Sequence, residues 1–181
     1  MPYTRGVNNA PSLEIRLIRP DEIEVVSVLT VEAYTSAYGE DLNEGYRREL
    51  ARVADRVESQ QVWVAVDTRS GGVLGTVGTP LPGQRLSDFA GPDDLDFRML
   101  AVSPQARGRG VGRALVEHCT RLAKDRGALR LVLHTGDDMD LAVALYERMG
   151  FERLTEIEQD FPYPPGVWYP VRVYGMAVAA A

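Results

Sequence analysis

The sequence predicts one mixed α/β domain over residues 13–178, a central twisted sheet of about seven strands flanked by about four helices. Three observations carry this. Strand-like and helix-like segments follow one another along the chain, the plan of a sheet covered by helices. A strand, a glycine-rich turn, a helix and a second strand occupy 95–135, as in a right-handed parallel crossover. The chain has 181 residues, 45% hydrophobic and 25% charged, which suffices for one core without staples.

The first twelve residues, MPYTRGVNNAPS, are polar and lack the apolar centre of a signal peptide, so they read as a flexible leader. Residues 13–19 alternate apolar and polar, as a half-buried strand does. Pro20 and Asp21 open a helix that contains Ile23 and Val26 and ends near Gly39. A second helix is expected over 43–57. Residues 62–67 and 73–81 form a hairpin about Ser70, Gly71 and Gly72. A loop with two prolines and two glycines fills 82–93. Residues 95–103 (LDFRMLAVS) read as one long strand. After the turn, a helix runs over 111–126 and stops at Gly127. Residues 129–135 are a buried strand. A short helix follows over 139–149, with Asp138 or Asp140 near its start and Gly150 as its stop. Strands are expected over 151–158 and 171–178, joined by the proline-rich loop 160–170.

Composition removes several functions. The net charge is −6, from 26 acidic and 20 basic residues, and leaves no basic footprint for nucleic acid. No run reaches the roughly 18 apolar residues of a membrane span. Cys119 is the one cysteine, which excludes an internal disulfide and a thiolate-built zinc site and fits a reducing cytoplasm. His118 and His134 stand apart with no acids at ligand spacing, so no metal is expected. His118 is expected to face solvent, and Cys119 to join Leu115 and Leu122 in the core.

The segment Arg107-Gly108-Arg109-Gly110-Val111-Gly112-Arg113 carries the chemistry. It joins a strand to a helix. Glycines let main-chain N–H groups approach a ligand, and the helix start adds unpaired donors and partial positive charge. This suits a pyrophosphate, with Arg107, Arg109 and Arg113 adding charge. The spacing rejects a P-loop, which needs Gly-Lys-Ser/Thr, and a dinucleotide fingerprint, whose glycines are spaced differently. An ordinary glycine-rich turn with solvated arginines is the plain alternative.

Arg107-x-x-Gly110-x-Gly112, preceded by LDFRMLAVSPQA and followed by an amphipathic helix, resembles the acetyl-CoA motif of the GCN5-related N-acetyltransferases. Ala144-Leu145-Tyr146-Glu147-Arg148-Met149-Gly150-Phe151 is similar to that family's late helix and following strand. The resemblance implies an acetyl-CoA-dependent N-acetyltransferase without a metal. The acceptor would be a primary amine, on a small molecule or a peptide. By the same resemblance, the main chain of Leu100, Ala101 and Val102 would pair with the pantetheine arm. Residues 107–113, including Val111, would hold the pyrophosphate. The strands at 95–103 and 129–135 would splay around the thioester.

Tyr146 matches the tyrosine placed near the cofactor sulfur, where it would protonate the leaving thiolate. The alternative is an aromatic that packs under the sheet. The N–H of Val102 would stabilise the oxyanion. Asp96 falls where many relatives carry a glutamate and is the candidate base; an ion pair with Arg98, or an acid at an exposed strand start, is the alternative. Strand alternation would put Asp96, Arg98, Leu100 and Val102 on one face. Met139 stands where many relatives carry asparagine. A catalytically silent acyl-CoA-binding or sensor domain is the second reading of the whole chain, and a nucleotide-binding domain whose turn binds ATP rather than CoA is the third. The acceptor site is expected between the first two helices and the loop 160–170. Tyr34 and Tyr38 would face Phe161, Tyr163, Trp168 and Tyr169 across it. These aromatics could instead cover the sheet edge or pack a homodimer.

Overall fold

The computed structural model describes residues 12–39, 42–136, 139–162 and 168–178. The expected leader over 1–11, Asp138 and Tyr163 lie outside the described residues, as do the side chains of Phe161, Trp168 and Tyr169.

The chain opens with β1 (Leu13–Leu17), α1 (Ile23–Tyr38), α2 (Glu44–Ala51) and α3 (Val53–Ser59). The hairpin β2 (Gln60–Asp67) and β3 (Val73–Pro80) follows, then β4 (Asp94–Asp96) and β5 (Arg98–Val102). The crossover helix α4 (Val111–Asp125) leads to β6 (Arg130–Gly136) and α5 (Asp140–Arg148). The chain ends with β7 (Glu152–Arg153), the short pair β8 (Phe161–Pro162) and β9 (Trp168–Tyr169), and β10 (Val171–Ala177). Among the described residues no helix is long and apolar enough to cross a membrane.

Alternation along β2 builds two layers of core. Val62, Val64 and Val66 face Val26 of α1 and Val53 of α3. Trp63 and Ala65 point the other way, toward Val111, Leu115 and Cys119 of α4. Each face of this sheet is therefore buried under helices. Cys119 is fully buried, as expected, and burial pushes its thiol up to about 12.

Three elements differ from expectation. The helix over 43–57 is two helices, broken at Arg52 (φ −81°, ψ 52°). The Arg56 guanidinium supports the break: it donates to the Leu50 carbonyl (3.2 Å) at the end of α2 and to the Glu49 carbonyl (2.9 Å), which also accepts the Arg52 N–H (3.1 Å). The strand over 151–158 shortens to β7. Glu158 turns back and accepts the Val173 N–H (3.0 Å) while it pairs with Arg153 (2.7 Å), so a carboxylate takes the place of a ladder bond.

The third difference makes the site. Residues 95–103 are two strands in two sheets. β5 ends the order β1-β2-β3-β5, and β4 begins the order β4-β6-β10-β7. The break falls at Phe97, whose N–H reaches the Val132 carbonyl (3.2 Å), and the register of β3 against β5 shifts between Thr76 and Gly78. Met99 sits at φ +54°, a strained conformation for its side chain. The one sheet expected is thus two sheets of four strands, splayed from a common edge.

Candidate active site

β4 runs parallel to β6 only over Asp94–Asp96 against 130–132. Beyond that, β5 follows β3 and β6 follows β10, and the two strands diverge. A cavity of about 570 Å³ fills the opening. That volume lies in the range of small-molecule sites, roughly 300–1,000 Å³. Its walls are Phe97 at the break, Arg98 to Leu100 of β5, Leu133 to Gly136 of β6, and residues of α1, α2 and α5.

β5 is the last strand of its sheet, with β3 on one edge. Ser103 donates its N–H to the Leu74 carbonyl at 2.9 Å. Main-chain groups alternate between the two edges of an antiparallel strand, so those of Val102, opposite Gly75, point away from β3, while Leu100 lies where the register shifts. Ala101 points its groups toward Thr76 instead, and its methyl packs with Leu29 and Ala33.

At the end of that edge the chain turns into α4. Gly110 is the N-cap residue at φ +81°, and Gly108 lies at φ +72°. A side chain at either would point into open space, so the turn leaves its front clear and its backbone exposed. Gly112 serves packing: a Cβ there would lie 3.3 Å from Leu145 and 3.4 Å from Val102. The Val111 side chain is buried, so it can offer only its main chain. The three arginines divide. Arg107 turns inward, donating to the Ala33 carbonyl (2.7 Å) and Ser36 hydroxyl (3.2 Å) of α1. Arg109 lies 3.8 Å from Asp67, and Arg113 pairs with Glu117 at 2.8 Å; both remain partly exposed near the helix start.

Tyr146 lines the cavity from α5 and is 5% exposed. Its ring meets Phe97 edge-on (5.9 Å) and Phe151 (5.7 Å). Burial raises its pKa well above that of an ordinary phenol, so it keeps its proton near neutrality. Its ring is therefore packed in the core while it also borders the cavity.

Asp96 does not share the face of Arg98. It is 1% exposed, is absent from the cavity wall, and accepts from the Leu86 N–H (3.0 Å) and the Ser87 hydroxyl (3.0 Å). Burial raises its pKa against these hydrogen bonds. Its carboxylate anchors the loop 82–93. The break at Phe97 is the reason, since alternation cannot be carried across it.

Tyr34 and Tyr38 line the cavity from α1, with ring centroids 5.7 Å apart. Tyr46 of α2 joins them, 5.9 Å from Tyr34 and nearly perpendicular to it. Glu49 stands one turn further and is the one carboxylate among the described residues of the wall. Tyr46 and Glu49 escaped the sequence reading, though Asn43, Tyr46 and Glu49 recur every third residue on one helix face. Arg98, His134 and Thr135 complete the polar lining. The His134 ring lies 5.0 Å from Phe89, and burial, aided by the Arg98 charge, pushes its pKa down to about 3. His118 is half-buried rather than solvent-facing, because its ring packs 4.2 Å from Trp63.

Comparison with known proteins agrees with this geometry. The model of the acetyltransferase (GNAT) family matches residues 28–151. A mycothiol acetyltransferase of Cellulomonas flavigena is 35% identical over 99 residues, 54% of this chain and 28% of that protein. The mouse protein described as probable N-acetyltransferase family 8 member 5 is 41% identical over 93 residues, 50% of this chain and 38% of that protein. These matches span about a third of the curated relatives' lengths. The crystal structure of the PaiA N-acetyltransferase of Thermoplasma acidophilum in complex with coenzyme A superimposes with a TM-score of 0.67. It covers 92% of this chain and 99% of that one at 13% identity, a likeness of fold. The chain belongs to the acetyltransferase (GNAT) family.

Proposed function

We propose that this protein transfers an acetyl group from acetyl-CoA to a primary amine held in the cleft. The observation that carries the reading is the diverging pair β5 and β6, with β5 leading along the chain into the glycine-bounded start of α4. The residues fit the ligand. Val102 would hold an amide-bearing arm along its outward main-chain groups, with Leu100 beside it at the register shift. The turn 107–113 would hold a pyrophosphate with N–H donors, at a front where even a methyl on Gly108 or Gly110 meets nothing.

Acetyl-CoA supplies the acetyl group as an activated thioester. Val102 would donate its N–H toward the acetyl oxygen. Tyr146, protonated near neutrality, would donate its proton to the departing sulfur. Glu49 replaces Asp96 as the candidate base, since it stands in the wall and Asp96 does not. The tyrosines of α1 and α2 would position the amine, which supplies much of the rate by proximity.

Calorimetry with acetyl-CoA, with ATP as competitor, tests the binding half. The expected result is a stoichiometric site that ATP does not displace and that Gly110→Val weakens in a folded protein. Equal affinity in that variant, or displacement by ATP, would contradict it.

A further inference from the structure

We propose that the acceptor is a primary amine joined by a short alkyl link to an aromatic ring; this rests on the acetyltransferase reading of the cleft. The acceptor end of the cavity is walled by tyrosine rings from two helices. Tyr34 and Tyr38 stand one turn apart on α1, with ring centroids 5.7 Å apart and planes at 55°. Tyr46, from the first turn of α2, meets Tyr34 at 5.9 Å and 76°. Planes at so steep an angle leave a notch, where a flat ring lies against the face of one and the edge of the other. The notch is held before any ligand arrives. The Tyr34 and Tyr46 hydroxyls are hydrogen-bonded to each other, and Tyr34 packs with Leu29, Ala33 and Ala101. Asn43 accepts the N–H groups of Gly45 (2.8 Å) and Tyr46 (3.3 Å) and so caps the turn that carries Tyr46. Rings fixed in this way lose little freedom on binding.

An aromatic ligand gains more here than apolar contact. Ring faces are negative and ring edges positive, so offset and edge-on pairs add to the burial of area. A saturated body of the same shape gains the area alone, and a linear chain covers less of each ring. Met99 and Met139 line the same cavity, and their polarisable thioethers adapt to a ring edge. The link is short because the ring cluster stands close to the reacting end. Tyr38 and Tyr46 each raise the pKa of Tyr146, and Tyr146 raises that of Tyr34. The four phenols therefore converge on one region of the cleft. A body seated on the cluster places its amine near the sulfur that Tyr146 would protonate. Glu49, one turn beyond Tyr46 in the same wall, is placed to take the amine proton.

The test is release of the free CoA thiol with phenethylamine, set against cyclohexylethylamine, hexylamine, spermidine and a short peptide with a free N-terminus. The expected kcat/KM for phenethylamine is at least about tenfold above each of the others, the size of two ring-on-ring contacts. Tyr46→Leu should cancel the preference over cyclohexylethylamine by raising the KM for phenethylamine, and leave the acetyl-CoA Kd unchanged. Tyr38→Leu gives the same readout from the other helix. Any other amine of the panel used as well as phenethylamine would overturn the proposal. So would a preference that survives in both variants. Failure of acetyl-CoA to bind, or its binding with no amine of the panel acetylated, would instead overturn the acetyltransferase reading beneath it.

Discussion

The Arg107 guanidinium donates to the Ala33 carbonyl at 2.7 Å and so ties the glycine-rich turn to α1. The next residue on that helix, Tyr34, lines the acceptor end of the cavity. One side chain thus joins the proposed cofactor turn to the proposed acceptor wall. Arg107→Ala removes a charged hydrogen bond, worth about 1.5–3 kcal/mol. It should weaken acetyl-CoA binding and also raise the KM of the amine. Calorimetry and steady-state kinetics check this; an effect on one ligand alone would show that the tie does not couple the two walls.

Tyr146→Phe keeps the ring that packs on Phe97 and Phe151 and removes the proton. Turnover should fall about a hundredfold, the usual contribution of a general acid. The acetyl-CoA Kd and the thermal midpoint should barely move. Full turnover in an assay limited by chemistry would reduce Tyr146 to a packing residue.

Asp96→Asn separates loop anchoring from catalysis. The carboxylate holds the Leu86 N–H and the Ser87 hydroxyl, so the amide should cost about 1–3 kcal/mol of stability. The acid limb of the rate–pH profile should stay in place. A shifted limb at unchanged stability would return Asp96 to the chemistry.

His134 gives a pH signature. Its pKa of about 3 in the folded chain lies below the value of about 6.5 expected when unfolded. Between these values the unfolded chain binds a proton that the folded chain does not. Stability from this group is therefore complete above about pH 6.5 and falls as the pH drops, by roughly 1.4 kcal/mol per unit within the window. Asp96 acts in the opposite sense, since burial raises its pKa. The His134 contribution is thus the difference in urea stability between wild type and His134→Gln at about pH 5 and pH 7. No difference in slope would mean that His134 titrates normally.

Much of the fold was legible because its signals are local. Gly110 and Gly127 bound α4, and alternation marks β2 with valines on one face and Trp63 and Ala65 on the other. The glycine turn and Tyr146 were legible for the same reason, since each sits in a contiguous motif. Asp96 was misplaced because period-two alternation was carried through Phe97, where the backbone changes sheet. A single positive φ at Met99 has no signature in composition. Glu49 and Tyr46 were missed because only the packing of α2 beside α1 brings them to the cleft. The break at Arg52 was hidden likewise: Arg56 supports it by reaching back to two carbonyls, a contact that helix periodicity does not report.

Amine-dependent release of the CoA thiol tests the central claim most directly. The protein, incubated with acetyl-CoA, should release thiol slowly alone and much faster when an acceptor amine is added. Glu49→Gln and Tyr146→Phe should each suppress the amine-dependent part while acetyl-CoA still binds. Tight acetyl-CoA binding with no amine-dependent thiol release across a broad panel would contradict the account and leave a silent acyl-CoA-binding domain on this fold.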